Sequence, residues 1–254
     1  MQGVLRLRFC FASRSKILAQ DDKAIWQLTT AFMTWVKICG MTNLEDALTA
    51  VDAGADAVGF VFHPESLRNV SPVIVGTIVS QLPANVEKVG IFVGDRVGGI
   101  AAKQRIVHQA GLTAIQLYAN GPPTLRTLKE WISLERKLFV AWPADRVLKG
   151  RFGGFKWRAE AKEKVSAILL DSGSSSQRGG TGKVFDWAQA RTVLATIGEF
   201  NFVVAGGLTP ENVDEAIRVL KPWGVDVVSG VEARPGKKDA EKVRAFVKAV
   251  RAAG

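Results

Sequence analysis

The sequence predicts an α/β protein with the closed (β/α)8 architecture of a TIM barrel. From residue 36 onward, a short apolar run rich in β-branched residues alternates with a segment of helical periodicity. This unit recurs eight times in about 220 residues. The runs contain few polar residues, as expected of parallel strands that are covered on both faces. An open doubly wound sheet is the alternative, but no G-x-G-x-x-G sequence follows the first run.

The predicted elements alternate along the chain as strand and helix. Strands are predicted at 36–39, 57–62, 89–93, 114–118, 138–142, 167–171, 202–205 and 225–229. Helices are clearest at 43–54, 124–136 and 212–222, where apolar residues recur on one face. The segment RAEAKEKV at 158–165, short and highly charged, takes the place of the fifth helix.

Residues 1–33 lack this pattern and are predicted to be a non-barrel N-terminal extension ahead of a catalytic barrel at 34–254. The first twenty residues contain four basic residues and no acid, which is typical of organellar transit peptides. Four interpretations of this segment are left open. Its start is misassigned and translation begins at Met33, or it is a disordered segment, a plastid-targeting segment or an ordered accessory element. Two cysteines do not make a disulfide framework, so a reducing compartment, the cytoplasm, is expected.

The chain of 254 residues has a formal charge of +10, which raises the question of a nucleic-acid partner. Its basic residues lie mostly in helix-like segments among acids, with no basic run that carries aromatic residues between the charges. We therefore expect no nucleic-acid partner. We expect no membrane partner either, because no stretch reaches the roughly 18 uncharged apolar residues of a membrane helix. The positive balance fits a field that attracts an anionic small molecule.

Candidate chemistry lies where the predicted strands end, because a closed barrel builds its site at that face. Strand one ends in Cys39, strand six ends in Asp171, and the loop after strand two carries Arg68. A thiol and a carboxyl at one barrel mouth form a possible base and acid pair. Each residue also has a plain interpretation: an inert buried cysteine, a helix cap or ion-pair partner, and a surface charge.

Three glycine-bearing loops follow neighbouring strands and favour an anion site. The loop after strand six contains Gly179, Gly180 and Gly182, strand seven leads into AGGL at 205–208, and strand eight into SGVE at 229–232. Glycines let a backbone approach an anion closely and point N–H groups at it. Tight turns alone are the other explanation for them.

Five motifs, in order over residues 35 to about 250, resemble those of the phosphoribosylanthranilate isomerase family. They are VKICGMTNLEDA, DAVGFVFHPESLRNVSP, LLDS…GGTGKVFDW, AGGLTPENV and VDVVSGVEARPGKKD. The resemblance implies a (β/α)8 enzyme of tryptophan biosynthesis. Its reaction is an Amadori rearrangement of N-(5-phosphoribosyl)anthranilate to 1-(2-carboxyphenylamino)-1-deoxyribulose 5-phosphate. It also implies a phosphosugar substrate and no metal or redox cofactor. A monomer or a homodimer is expected.

The resemblance further implies a role for each candidate residue. Cys39 matches the family's general base, Asp171 its general acid, and Arg68 the arginine that binds the anthranilate carboxylate. The residues implied to hold the phosphate are Gly180, Thr181, Gly182, Gly206, Gly207, Ser229 and Gly230.

Lys37 is expected to face the barrel interior beside Cys39, because the two residues are two positions apart on one strand. A nearby ammonium favours a thiolate, so a lowered pKa is expected for Cys39. A structural ion pair inside the barrel is the alternative role for Lys37.

The chain departs from the family after strand four, where QLYAN stands in place of the usual Q-L-H-G. Tyr118 replaces the histidine and Ala119 the glycine. Activity is expected to survive, since neither is the implied acid or base. Two rival functions remain: another phosphosugar barrel enzyme, and a catalytically silent barrel that binds an anion or a partner.

Overall fold

The computed structural model describes residues 33–94, 99–118, 125–149, 164–172, 184–197 and 200–254. Thr34–Ala253 forms one compact unit. Residues 1–32 lie outside the described part of the chain, and so does most of the predicted N-terminal extension.

Eight parallel strands close into a barrel in sequence order, which confirms the predicted fold class. They are β1 Trp35–Cys39, β2 Ala57–Val61, β3 Glu87–Val93, β4 Ala114–Tyr118, β5 Lys137–Pro143, β6 Val165–Asp171, β7 Phe202–Ala205 and β8 Gly224–Val227. The prediction for β8 was wrong at its end. The strand stops at Val227, and Ser229 begins a 3-10 turn, Ser229–Val231.

The described helices are α1 Leu44–Asp52, α2 Pro72–Val79, α3 Ile100–Gln109, α4 Leu125–Ile132, α5 Ala144–Leu148, α6 Trp187–Ile197, α7 Val213–Leu220 and α8 Ala240–Ala253. The Asn43 side chain accepts a hydrogen bond from Asp46 N, which fixes the start of α1. Of the predicted helix at 158–165, the first six residues lie outside the described part, Lys164 is helical, and Val165 begins β6. None of the described helices is both long and apolar enough to cross a bilayer.

Side chains of alternate strand residues fill two separate cores. Large strand residues such as Phe60 and Phe92 lie between the strands and the helices, where they join helix residues such as Phe246 of α8. The barrel interior holds smaller ones, mainly alanines and valines, together with Cys39 and Phe139. Because strand side chains alternate, the residues that face inward at the strand ends point into the barrel mouth.

A short antiparallel hairpin follows β8 and covers the start of α1. It consists of β9 Glu232–Arg234 and β10 Lys237–Lys238, with Gly236 in the turn at φ +81°. Thr42 Oγ1 donates to Gly236 O at 2.6 Å, and Lys238 N donates to Asp46 Oδ2 at 2.7 Å. These bonds tie the segment after β8 to the segment after β1.

A chain that begins at Met33 should keep the melting temperature and turnover of the full-length chain. The barrel pattern begins at Trp35, and β1 is paired on both sides, with β2 and β8. Thermal unfolding and steady-state kinetics of the two chains would test this. A large loss in either quantity would instead assign the first 32 residues a role in stability or catalysis.

Candidate active site

The strand register places the acidic and basic side chains of the interior at one level of the barrel. Asp171 on β6 pairs with Ala205 on β7, and Ala205 pairs with Asp226 on β8. Asp226 in turn pairs with Lys37 on β1, two residues before Cys39. Cys39, Lys37, Asp171 and Asp226 are all buried. The structure therefore brings together the thiol and the carboxyl that the sequence put at two strand ends.

The Cys39 thiol occupies space that Gly59 leaves open on the neighbouring strand β2. The two residues are paired, and a Cβ at Gly59 would lie 2.6 Å from Cys39 Sγ and 3.1 Å from Lys37 Cε. Such a contact is too short for a real Cβ atom, so a side chain at this position would displace the thiol. Gly59 thus has a packing reason to be a glycine inside a strand.

The expectation of a lowered pKa for Cys39 was wrong in the protein without substrate. Burial raises the pKa of the thiol, and the nearby Lys37 ammonium only partly offsets that effect. Asp226 adds to the increase, while Lys238 opposes it. The physical reason is that burial removes water from around the thiolate, and this effect outweighs the attraction of Lys37, whose charge also faces the Asp226 carboxylate.

Lys37 forms a buried ion pair, as the alternative interpretation of the sequence had it. Its Nζ lies 2.8 Å from Asp226 Oδ1. Burial opposes the charge of Lys37, but Asp226 and Cys39 outweigh that effect and raise the pKa of the ammonium. The ammonium form of Lys37 is therefore favoured by the Asp226 carboxylate and by the neighbouring Cys39.

Asp226 was missed by the sequence reasoning, although one signal was available. A charged residue stands alone inside an apolar strand run, VDVV, and such a residue faces either solvent or a buried partner. Burial raises the pKa of Asp226, and the ammonium of Lys37 opposes this increase.

Asp171 accepts a hydrogen bond from Tyr118, which ends β4. The distance between Tyr118 Oη and Asp171 Oδ2 is 2.6 Å. Tyr118 stands where the family sequence motif has histidine, and no sequence signal connects it with the implied acid. The two residues are on strands separated only by β5, so the order of the strands in the sheet brings them together.

Arg68 is held by a second residue that the sequence reasoning missed, Glu232. Arg68 Nε donates to Glu232 Oε1 at 2.9 Å, and Nη2 donates to Oε2 at 2.6 Å. Lys238 Nζ also lies 3.2 Å from Glu232 Oε1. Burial would raise the pKa of Glu232, but Arg68 and Lys238 outweigh it and hold that pKa below its ordinary value. No sequence signal pairs residues 164 positions apart.

The glycines after β7 and β8 make close approaches that a side chain would prevent. Gly206 has φ +83°, and a Cβ there would lie 2.0 Å from Ser172 Oγ and 2.7 Å from Asp171 Oδ1. A Cβ at Gly230 would lie 1.9 Å from Leu208 O, so the two loops are in backbone contact. Gly207 has φ +67°, and Ser229 begins the turn that follows β8. Gly180, Thr181 and Gly182 lie outside the described residues.

Fold and site together define a class of protein: a (β/α)8 barrel with acid–base groups at the carboxyl ends of its strands. Within the described ranges, no group of three or more His, Cys, Asp or Glu residues is placed to hold a metal. The family described as N-(5'-phosphoribosyl)anthranilate (PRA) isomerase matches residues 36–249. The chain belongs to this family.

Curated relatives and solved structures with this activity in their names are similar over most of the chain. N-(5'-phosphoribosyl)anthranilate isomerase of Pelobacter propionicus is 42% identical over 222 residues, 85% of this chain and 95% of the relative. The relative from Thermotoga maritima is 41% identical over 221 residues, 85% of this chain and 98% of its own length. A solved structure of the Thermotoga maritima protein has a TM-score of 0.69 at 36% identity, covering 87% of this chain and 100% of that one.

A further solved structure of this kind contains a substrate-like compound. It is a phosphoribosyl anthranilate isomerase in complex with reduced 1-(o-carboxyphenylamino)-1-deoxyribulose 5-phosphate. Its TM-score to this chain is 0.68 at 36% identity, and the match covers 87% of this chain and 100% of that one.

Proposed function

We propose that this chain performs the family's Amadori rearrangement with Asp171 as the general acid and Cys39 as the general base. The chain is a phosphoribosylanthranilate isomerase, an aldose–ketose isomerase of tryptophan biosynthesis. The observation that carries the assignment of roles is the placement of these two buried groups at the ends of β1 and β6, both facing the barrel interior. Positioned acid and base groups at a barrel mouth are what the reaction requires.

The acid opens the sugar ring in the first step. A protonated Asp171 gives its proton to the ring oxygen, and the bond from that oxygen to C1′ breaks. The lone pair of the anilino nitrogen forms the C1′=N bond, so the product is a positively charged Schiff base. The charge on nitrogen makes the hydrogen at C2′ acidic.

The base then removes that hydrogen as a proton. The Cys39 thiolate takes it from C2′, and the electrons of the C–H bond form a C1′=C2′ bond that neutralises the nitrogen. The enolamine tautomerises to the ketone by moving a proton from the C2′ hydroxyl to C1′. The positive Schiff base adds to Lys37 and Lys238 in favouring the thiolate, which offsets the burial of the thiol when it must act.

Arg68 is proposed to bind the carboxylate of the anthranilate ring. Glu232 engages its Nε and Nη2 atoms and so fixes the plane of the guanidinium. The Nη1 donors are not used for Glu232 and can be directed at a second carboxylate. Glu232 thus orients the group that selects an aromatic acid.

Arg68→Gln should raise KM for the substrate by roughly 10- to 100-fold, because a charge-assisted hydrogen bond to the carboxylate is lost. Arg251→Gln is the matched control. Arg251 binds Thr34 O, Gly54 O and Asp56, remote from the strand ends, so its loss should lower the melting temperature and leave KM unchanged. An unaltered KM in Arg68→Gln would contradict the proposed carboxylate contact.

The phosphate is proposed to bind the backbone N–H groups of the loops after β6, β7 and β8. The residues are Gly180, Thr181, Gly182, Gly206, Gly207, Ser229 and Gly230. Support comes from the left-handed backbone of Gly206 and Gly207 and from the backbone contact of the second and third loops.

Gly207→Ala should raise KM by about tenfold, since a Cβ strains this left-handed backbone and shifts the N–H groups. Gly54→Ala is the matched control, with φ +93° and no close contact, in the turn between α1 and β2 at the opposite end of the barrel. It should cost stability without affecting KM. Equal KM values in the two variants would place the phosphate elsewhere.

The activity is tested directly by turnover of N-(5'-phosphoribosyl)anthranilate and by complementation of a tryptophan auxotroph that lacks this isomerase. If both assays fail, the two rival functions are favoured: another phosphosugar barrel enzyme, or a catalytically silent barrel. We further propose that the enzyme acts in the cytoplasm. We also propose that it is a monomer or a homodimer, and sedimentation of the purified chain would distinguish these two oligomeric states.

A further inference from the structure

The hydrogen bond from Tyr118 to Asp171 spans two strand positions around the barrel. Tyr118 pairs with Ala141 on β5, and Asp171 pairs with Pro143 two residues further along the same strand. The hydroxyl therefore reaches across β5 to Asp171 Oδ2, at 2.6 Å. Tyr118 is also the only tyrosine of the chain.

We propose that Tyr118 is a positioning residue for Asp171, whose hydroxyl keeps Oδ2 as an acceptor and so directs the acid's proton to Oδ1. This inference rests on the proposed role of Asp171 as general acid. In a protonated carboxyl, the carbonyl oxygen is the better hydrogen-bond acceptor, so a donor at one oxygen favours the proton on the other. Oδ1 is the oxygen beside Gly206, in the loop that follows β7.

Tyr118 remains protonated while it does this. Burial raises the pKa of its hydroxyl well above the ordinary value, and the charge of Asp171 raises it further. A phenol held in this form is a donor to the acid and is itself a poor source of the catalytic proton.

The two carboxyls of the barrel interior have different kinds of partner. Asp226 on β8 faces the ammonium of Lys37 at 2.8 Å, and Lys238 also acts on it. Asp171 receives the neutral hydroxyl of Tyr118, which is also influenced by Asp226 and Cys39. An ammonium favours an ionised carboxylate strongly, whereas a phenol can donate to either protonation state. Tyr118 can therefore orient Asp171 and still allow it to carry a proton.

Tyr118→Phe tests the proposal because it removes the hydroxyl and keeps the ring. We expect kcat to fall by about 10- to 100-fold, the equivalent of one hydrogen bond to a charged group, with little change in KM. The pH profile of kcat/KM is the second readout. The inflection that Asp171→Asn abolishes should move to higher pH in Tyr118→Phe, because the ionised carboxylate has lost a donor. The inflection that persists in Asp171→Asn should not move.

Tyr118→His is the rescue variant, since imidazole restores an N–H donor at this strand end. It should recover part of the lost kcat and return the inflection toward its original position. A merely structural role would lower the melting temperature of Tyr118→Phe and leave the inflection unmoved. An unchanged kcat together with an unmoved inflection would overturn the proposal.

Ultraviolet titration of Tyr118 in the substrate-free protein tests the bond without turnover. Tyrosinate absorbance comes from one residue only. It should appear at lower pH in folded Asp171→Asn than in the unaltered chain, because a negative charge next to the phenol is gone. Identical titrations would disprove the interaction. If the unaltered chain shows no turnover, the proposed function is refuted. Failure of the proposed function and failure of the proposed role of Tyr118 can therefore be told apart.

Discussion

Cys39→Ser should lower kcat by roughly 10²–10⁴-fold or more, because a hydroxyl is a far poorer base than a thiolate near neutral pH. The substitution is nearly isosteric, and the side chain lies in the space left open by Gly59. The melting temperature should therefore change little. Steady-state kinetics and thermal unfolding of the same preparation would separate the loss of a base from the loss of packing.

Cys39→Ala is the companion variant, since it removes the proton acceptor and leaves a small void. Its kcat should fall at least as far as that of Cys39→Ser. If the serine variant turns over normally, Cys39 is a packing residue of the barrel interior, and the mechanism proposed for this chain fails.

Asp171→Asn should also lower kcat by roughly 10²–10⁴-fold, because the N–H protons of an amide are far too weakly acidic to be transferred to the ring oxygen. The pH profile gives a second and independent result. Activity of the unaltered chain requires a protonated Asp171 and an ionised Cys39, which gives a bell-shaped kcat/KM. Without an acid to deprotonate, the alkaline decline should vanish in Asp171→Asn, and the residual rate should rise with pH to a plateau.

The loss of the alkaline decline in Asp171→Asn does not depend on whether Cys39 or Asp171 has the lower pKa. Burial raises the pKa of Cys39, so the active form can be a minority species, and the two inflections then belong to the pair. Removing the acid eliminates the alkaline decline in either order. A bell-shaped profile that persists in Asp171→Asn would assign the acid to another group.

Asp56→Asn is the matched control for this variant. Asp56 Oδ2 accepts hydrogen bonds from Val36 N at 2.7 Å and from Arg251 Nη2 at 2.9 Å, near the start of β1 and remote from the strand ends. Its replacement should reduce stability and leave kcat and the pH profile unchanged. The comparison therefore separates the catalytic effect of losing the carboxyl at the barrel mouth from the loss of stability that follows when any carboxylate is removed.

The strands could be predicted from the sequence because each is a local apolar run between turn residues. All eight were found, and the helices at α1, α4 and α7 match the segments chosen by their periodicity. Of the helix predicted at 158–165, the described residue Lys164 is helical, and the prediction was wrong only at Val165, where apolar and β-branched residues begin the next strand.

The sequence by itself determined that Cys39 ends a strand, and that Lys37 faces the same way, because strand side chains alternate with a period of two. It also placed Asp171 at another strand end, where a barrel builds its site. These conclusions need only local order along the chain.

Only the tertiary structure decided which groups surround these residues. Asp226 comes from β8 to Lys37, Tyr118 from β4 to Asp171, and Glu232 from β9 to Arg68. The pKa of Cys39 illustrates the consequence: the neighbouring lysine, read locally, predicted a decrease, whereas burial in the closed barrel produces an increase. Desolvation and the charges of distant strands act through space, so their balance is settled only when the barrel closes.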